Sequence, residues 1–371
     1  MPLTRKCCLA AVILALLVPL PAVWADGFVQ TNLVTDNQAA HPAQVTDVNL
    51  KNPWGMSSSG TSPMWVSNNG SCNSTLYAVS PTDDTTIPNA LIVTVPGAGN
   101  VTGQVYNAGS EFNADRFLFV SEDGTISGWR GTLGTTAEIL QSPSPDNIYK
   151  GVGLADIGGH SYLYGANFRA GAINILKGDV LAPNLTGNFT DPNLPAGYAP
   201  FNIQNLGGTI YVTYAEQDAN QTDEVAGAGL GIVTKFDLQG NLLGRLATGG
   251  TLNAPWGLAI APAAFGDLAG DVLVGNFGDG RIGAFDPVTG MLIRQLTTPG
   301  GDPLVIDGLW ALSPGNGGSG GSVDRIYFTA GPDGETHGLF GSIAVPEPAT
   351  TALLLPGLVV FATRRGRTPI A

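Results

Sequence analysis

The sequence predicts an all-β fold, a six-bladed β-propeller of four-stranded blades in which an N-terminal strand closes the last blade. Three observations predict it. A motif recurs about every fifty residues, a spacing typical of propeller repeats. Each copy is followed by short aromatic and β-branched runs separated by Gly, Asn and Asp turns. The sixth unit runs out of chain one strand early, while an unassigned strand waits before the first unit.

The clearest copies are Asn52-Pro53-Trp54-Gly55-Met56 and Ala254-Pro255-Trp256-Gly257-Leu258. Anchoring the weaker ones on Gly103, Gly153, Asn202 and Gly308 gives intervals of 48, 50, 49, 55 and 51 residues between Gly55 and Gly308. Within a unit, the alternation Phe117-Leu118-Phe119-Val120 reads as a strand, and Glu122-Asp123-Gly124-Thr125 as the turn to the next. Asp286-Pro287-Val288-Thr289-Gly290 makes the same kind of punctuation between Ile282-Gly283-Ala284-Phe285 and Met291-Leu292-Ile293. A four-stranded sheet standing alone cannot bury both faces, so six of them require a ring. The segment Phe28 to Val34 is expected to supply the missing outer strand of the sixth blade and so close the circle.

Composition agrees with a single turn-rich domain: 52 Gly and 26 Pro, 12% charged residues and 43% hydrophobic ones. The formal net charge is −13. Setting aside Arg5, Lys6, Arg364, Arg365, Arg367 and Glu347 leaves 11 basic and 28 acidic residues, a field that repels nucleic acid and argues against it as a partner. Cys7 and Cys8 lie in the first apolar run, so Cys72 is expected to be a buried, unbridged thiol.

Both ends read as addresses. Arg5-Lys6, the apolar run Cys7 to Leu20 and Val23-Trp24-Ala25 have the order of a secretory signal peptide over residues 1–25, cut after Ala25. The propeller is assigned to 26–343. Residues 344–371 hold Pro346-Glu347-Pro348, a short apolar stretch from Thr351 to Thr363 and Arg364-Arg365-Gly366-Arg367. This tail resembles the PEP-CTERM sorting signal of exopolysaccharide-producing Gram-negative bacteria. The resemblance implies an exosortase-type enzyme acting near Pro346, Glu347 and Pro348, transient membrane anchoring through a C-terminal helix, and a cell-surface or extracellular destination.

The body of the chain also carries Gln30-Thr31-Asn32-Leu33-Val34, Glu122-Asp123-Gly124-Thr125-Ile126-Ser127-Gly128-Trp129, Asp191-Pro192-Asn193-Leu194-Pro195-Ala196-Gly197-Tyr198 and Asn276-Phe277-Gly278-Asp279-Gly280-Arg281. Together with the Asn-Pro-Trp-Gly copy these resemble a family of exported bacterial propellers, some with PEP-CTERM tails. The resemblance implies the fold and transfers no catalytic residue.

The chemistry in the sequence is sparse. There is no Gly-x-Ser-x-Gly elbow, no His-Glu-x-x-His and no phosphate loop, and His41, His160 and His337 stand in Gly- and Pro-rich surroundings. Oxygen donors at strand ends point instead to calcium as the candidate cofactor, with Glu122, Asn167, Asn276 and Asp307 as its ligands near the axis. Asn68, Glu216 and Trp129 are the candidate ligand-binding positions, Trp129 being expected near the surface. Trp54, Trp256 and Trp310 are expected to pack blade on blade, and the insertion Gln217 to Leu230 to form a loop over one face.

Two functions stay open. The first is a non-catalytic binding or matrix protein, with extracellular polysaccharide or surface proteins as partners. The second is a calcium-dependent, lactonase-like hydrolase with an axial site.

Overall fold

In the computed structural model, which describes residues 27–346, six small antiparallel sheets follow one another in a ring. Their inner strands are Pro53–Ser57, Val101–Tyr106, Tyr149–Ile157, Tyr198–Leu206, Pro255–Ile260 and Leu309–Pro314. Residues 1–26, where a signal peptide is expected, and 347–371, including Glu347 and Pro348 of the expected sorting motif, lie outside the described residues.

Two-residue alternation explains the packing. In the second strand of blade 2, Phe117–Ser121, the rings of Phe117 and Phe119 enter a cluster with Trp65, Leu76 and Val93 of blade 1. Leu118 and Val120 enter another with Tyr149, Val152 and Leu163 of blade 3. Successive side chains of a strand point to opposite faces, so each blade is glued to both neighbours. Every interface around the ring holds such a cluster.

The sixth blade closes as expected. Val29–Thr35 pairs antiparallel with Leu339–Ala344, from Val29 opposite Ala344 to Thr35 opposite Leu339. A short strand, Val45–Thr46, then runs parallel to its end, making five strands in this sheet. Buried Asp84 of blade 1 seals the joint, accepting hydrogen bonds from Tyr327 Oη (2.8 Å) and Ser342 Oγ (2.6 Å) and pairing with Arg325.

Blade 3 departs from the four-strand expectation and holds three strands, Tyr149–Ile157, His160–Asn167 and Ala172–Lys177. The segment after it contains Pro183, Pro192 and Pro195, which have no N–H to offer a ladder. It is held by side chains instead: Ala182 and Phe189 are buried between blades 3 and 4. The backbone N–H of Phe189 bonds to Gly240 O at 3.0 Å.

A second departure concerns register. In all six blades the ladder between the inner and second strands is broken by a bulge at the same height. It falls on Trp54-Gly55, Thr102-Gly103, Lys150, Phe201, Trp256 and Trp310-Ala311. Gly153 and Gly308 are therefore not the structural equivalents of Gly55; Gly151 and Ala311 are. At this height the inner strands of neighbouring blades nearly touch. A methyl group on Gly103 would lie 2.8 Å from the Val152 nitrogen, and one on Gly257 would lie 2.7 Å from Trp310 O. Gly103→Val is expected to cost about 1–3 kcal/mol by overpacking. Urea denaturation measures it, and an unchanged midpoint would show that the inner strands have slack.

Candidate functional site

The six bulges project one residue each toward the axis: Trp54, Thr102, Lys150, Phe201, Trp256 and Trp310. All six are at most 4% exposed. Bulges re-aim side chains and leave backbone groups unpaired, and groups from other blades satisfy them here. Asn202 Nδ2 donates to Trp256 O at 2.7 Å, Thr102 Oγ1 to Tyr149 O at 2.7 Å, and Trp256 Nε1 to Lys150 O at 3.2 Å. The aromatic members form one plug. Trp54 stacks on Trp310 with centroids 3.6 Å apart, Trp310 stacks on Phe277 at 4.1 Å, and Trp256 meets Trp54 and Trp310 edge-on. The expectation that the repeated tryptophans pack between blades is met at the axis.

One ring member is charged. Lys150 Nζ, 1% exposed, lies 2.6 Å from Glu122 Oε1, 2.9 Å from Asp223 Oδ1 and 5.2 Å from the Trp54 ring centroid. Burial opposes its charge, but the carboxylates of Glu122, Asp223 and Glu224 outweigh burial, and the ammonium is pushed up to about 12. A hydrogen-bonded chain continues outward. Glu122 Oε2 accepts from Asn69 (3.3 Å), Asn69 Oδ1 accepts from Asn52 (3.3 Å), and Asn52 also donates to Glu335 Oε2 (2.6 Å). One ammonium thus faces Glu122, Asp223, Glu224 and Glu335. Burial raises Glu224 to about 7, the nearby Lys150 only partly opposing it, and burial raises Glu335 as well.

The insertion is anchored here. Glu224–Val225 pairs with the end of Thr209–Gln217, and Asp223 reaches Lys150. Arg169 holds Thr222 at 2.9 Å. This end of the axis is covered by the protein itself, and a lysine at about 12 stays protonated at neutral pH, unsuited to Schiff-base or nucleophilic work.

The residues expected to gather around calcium are taken up by separate partners. Glu122 binds Lys150; Asn167 accepts from the Ile148 and Ala170 amides and donates to Asn147; Asn276 joins Asn253, Thr251 and Asp279; Asp307 accepts the Asp333 amide. The charge beside Glu122 is an ammonium, so this donor set does not fit a second cation. Asn68 is buried and donates to Asn73 and Thr75 at 2.8 and 2.9 Å. Glu216 sits half-buried opposite Tyr198 and Val225. Trp129, expected near the surface, is buried, with its ring 4.9 Å from that of Trp65 and its Nε1 donating to Gly134 O. Cys72 is an unbridged thiol in a left-handed turn, half-buried.

At the opposite end the inner strands surround an open cavity of about 670 Å³. Glycine backbone, hydroxyls and amides share its walls with apolar side chains such as Met56, Val105 and Leu154, and Asp156 is the only charged residue lining it among the described residues. Gln204 Oε1 and Ser57 Oγ are buried at its wall without a hydrogen-bond partner. Sequence reasoning missed both Lys150 and this cavity. The signal for Lys150 was its place before Gly151, matching Trp54 before Gly55.

No protein-family model matches the chain. Two proteins of Acanthamoeba polyphaga mimivirus, both titled uncharacterised, are similar to it. One is 30% identical over 341 residues, covering 86% of this chain and 80% of the relative; the other is 30% identical over 345 residues, covering 87% and 86%. Among solved structures, a streptogramin B lyase is 13% identical with a TM-score of 0.44, covering 86% of this chain and 97% of that one. The PQQ-bound aldose sugar dehydrogenase of Streptomyces coelicolor is 14% identical with a TM-score of 0.44, covering 79% and 95%. The expected kinship with exported bacterial propellers carrying PEP-CTERM tails is corrected by these findings: the curated relatives matched along the propeller are viral. The two Pro-Trp-Gly copies sit on the bulge that all six blades share, so they mark the architecture and not a bacterial lineage.

Proposed function

Since the chain belongs to the family of these mimivirus proteins, we propose for it the role of a non-catalytic binding protein that takes a small, neutral, polar ligand such as a saccharide into the open axial cavity. The observation that carries this reading is the cavity of about 670 Å³, the size of a small-molecule site, whose lining offers serine hydroxyls and Asn and Gln amides with a single charge. Uncharged hydroxyl and amide groups suit hydroxylated ligands, which exchange hydrogen bonds with water for similar ones in the site. The lysine end complements the reading: its charges serve one another and hold the insertion in place.

Calorimetric titration of the full-length protein with neutral mono- and oligosaccharides tests it. Ser313→Trp, which fills the cavity mouth, is expected to weaken binding by at least about tenfold, or ~1.4 kcal/mol, whereas Glu335→Gln at the far end leaves it unchanged. Binding that survives Ser313→Trp places the ligand elsewhere. Turnover of a lactone panel abolished by Glu122→Gln would instead make the protein an enzyme. Export, which Arg5-Lys6 and the apolar run after them support, belongs to the same proposal. It predicts a secreted product whose first residue is Asp26.

A further inference from the structure

At the rim between blades 2 and 3, on the same end as the open cavity, three side chains converge that the axial arrangement does not use. Glu111 comes from the loop between the inner and second strands of blade 2. His160 opens the second strand of blade 3, and Asp179 follows its third. One ligand atom from each lies within 4.8 Å of the other two, the only such group of three among the described residues. His160 Nδ1 is 2.7 Å from Asp179 Oδ2 and 3.6 Å from Glu111 Oε1.

Each carboxylate is oriented by its other oxygen. Glu111 Oε2 accepts the Ser161 amide, and Asp179 Oδ1 accepts the amides of Leu181 and, at 2.9 Å, Ala182. Backbone donors thus hold one oxygen of each acid and leave Glu111 Oε1 and Asp179 Oδ2 turned toward the same imidazole nitrogen. The other two histidines differ: His41 pairs with Asp333 and His337 with Asp36, one acid each. A second carboxylate adds repulsion between the acids that a simple His–Asp pair avoids.

We propose that Glu111, His160 and Asp179 bind a divalent first-row transition-metal ion of the zinc class. One imidazole nitrogen and two carboxylate oxygens favour such an ion over calcium or magnesium, which prefer all-oxygen sets. Metal–ligand bonds of about 2.0–2.2 Å in tetrahedral geometry separate ligands by roughly 3.4 Å. The Glu111–His160 distance of 3.6 Å already fits, and the Asp179–His160 contact opens by less than an ångström. All three side chains keep some exposure, between 16 and 29%, so water or a ligand atom completes the shell.

The test uses the full-length protein, stripped with chelator and dialysed against Zn²⁺ or Ca²⁺, with bound metal measured by atomic emission and melting followed in parallel. One Zn²⁺ per chain is expected, with a raised melting point and no response to Ca²⁺ at the same concentration. His160→Gln should abolish binding, and Glu111→Gln, whose amide oxygen still accepts the Ser161 N–H, should weaken it at least about tenfold while leaving metal-free melting near wild type. Zinc retained in full by both variants, or none bound by the wild type, overturns the proposal. Saccharide binding in the axial cavity is independent of either result.

Discussion

Lys150→Met should lower stability by about 3 kcal/mol at neutral pH, the largest loss expected from any single substitution at the axis. The ammonium is 1% exposed, and removing it leaves Glu122, Glu224 and Glu335 facing one another across the plug with no counter-charge. Breaking a buried pair by deleting one partner costs roughly 3–5 kcal/mol. Glu122 at 23% and Asp223 at 63% side-chain exposure keep contact with water, which puts the effect at the lower end. Methionine keeps a long side chain beside Trp54 and Phe168, so the loss reports the charge, including its attraction to those two ring faces. In thermal melts the fall should be roughly 5–10 °C. Glu122→Gln, which leaves Asp223 on the ammonium, should cost clearly less. A loss below about 1 kcal/mol for Lys150→Met would mean that desolvation of the lysine already cancels its attractions.

Glu224 should make the protein less stable as pH rises, the reverse of ordinary acid denaturation. Its folded pKa, about 7, lies above the ordinary 4.5 of a glutamate, so the folded state binds the proton more tightly than the unfolded one. The contribution is fully present below about 4.5 and is lost as pH climbs through 7. A shift of this size is worth about 3 kcal/mol. Glu224→Gln mimics the protonated acid and cannot ionise. Its urea midpoint should match wild type near pH 4.5 and exceed it at pH 8. The comparison must be made against wild type at each pH, because Asp115, raised by burial to about 6, and Glu335 add slopes of the same sign that survive the substitution. Equal midpoints at pH 8 would show that the carboxyl ionises at no cost where it stands.

Much of the fold was legible because strand physics is local. The alternation Phe117-Leu118-Phe119-Val120 names its two interfaces outright, and the Pro-rich stretch from Pro183 to Pro195 carries the reason blade 3 stops at three strands. The site was far less legible. Lys150 stands in Tyr149-Lys150-Gly151 with no acid beside it, and its partners lie 28 and 73 residues away. The bulge, a property of two paired strands, picks Gly151 over Gly153 as the match to Gly55 and so puts Lys150 in the position of Trp54 and Trp256, whereas an alignment on Gly153 slides past it. The rim cluster escaped for the same reason. His160 and Asp179 are 19 residues apart, while Glu111 arrives from another blade.

The pairing of Val29–Thr35 with Leu339–Ala344 sets the order of events at the ribosome. Blades 1 to 5 each emerge complete and can pair their strands as they appear, but the first strand made finds its partner only when almost the last one arrives. At about 5–20 residues per second that delay is roughly 15–60 s. For all of that time an unpaired edge is displayed, open to strands of neighbouring nascent chains. The charge that would blunt such an edge is missing from Val29-Gln30-Thr31-Asn32-Leu33-Val34-Thr35, so the yield of this protein depends on how crowded its birthplace is.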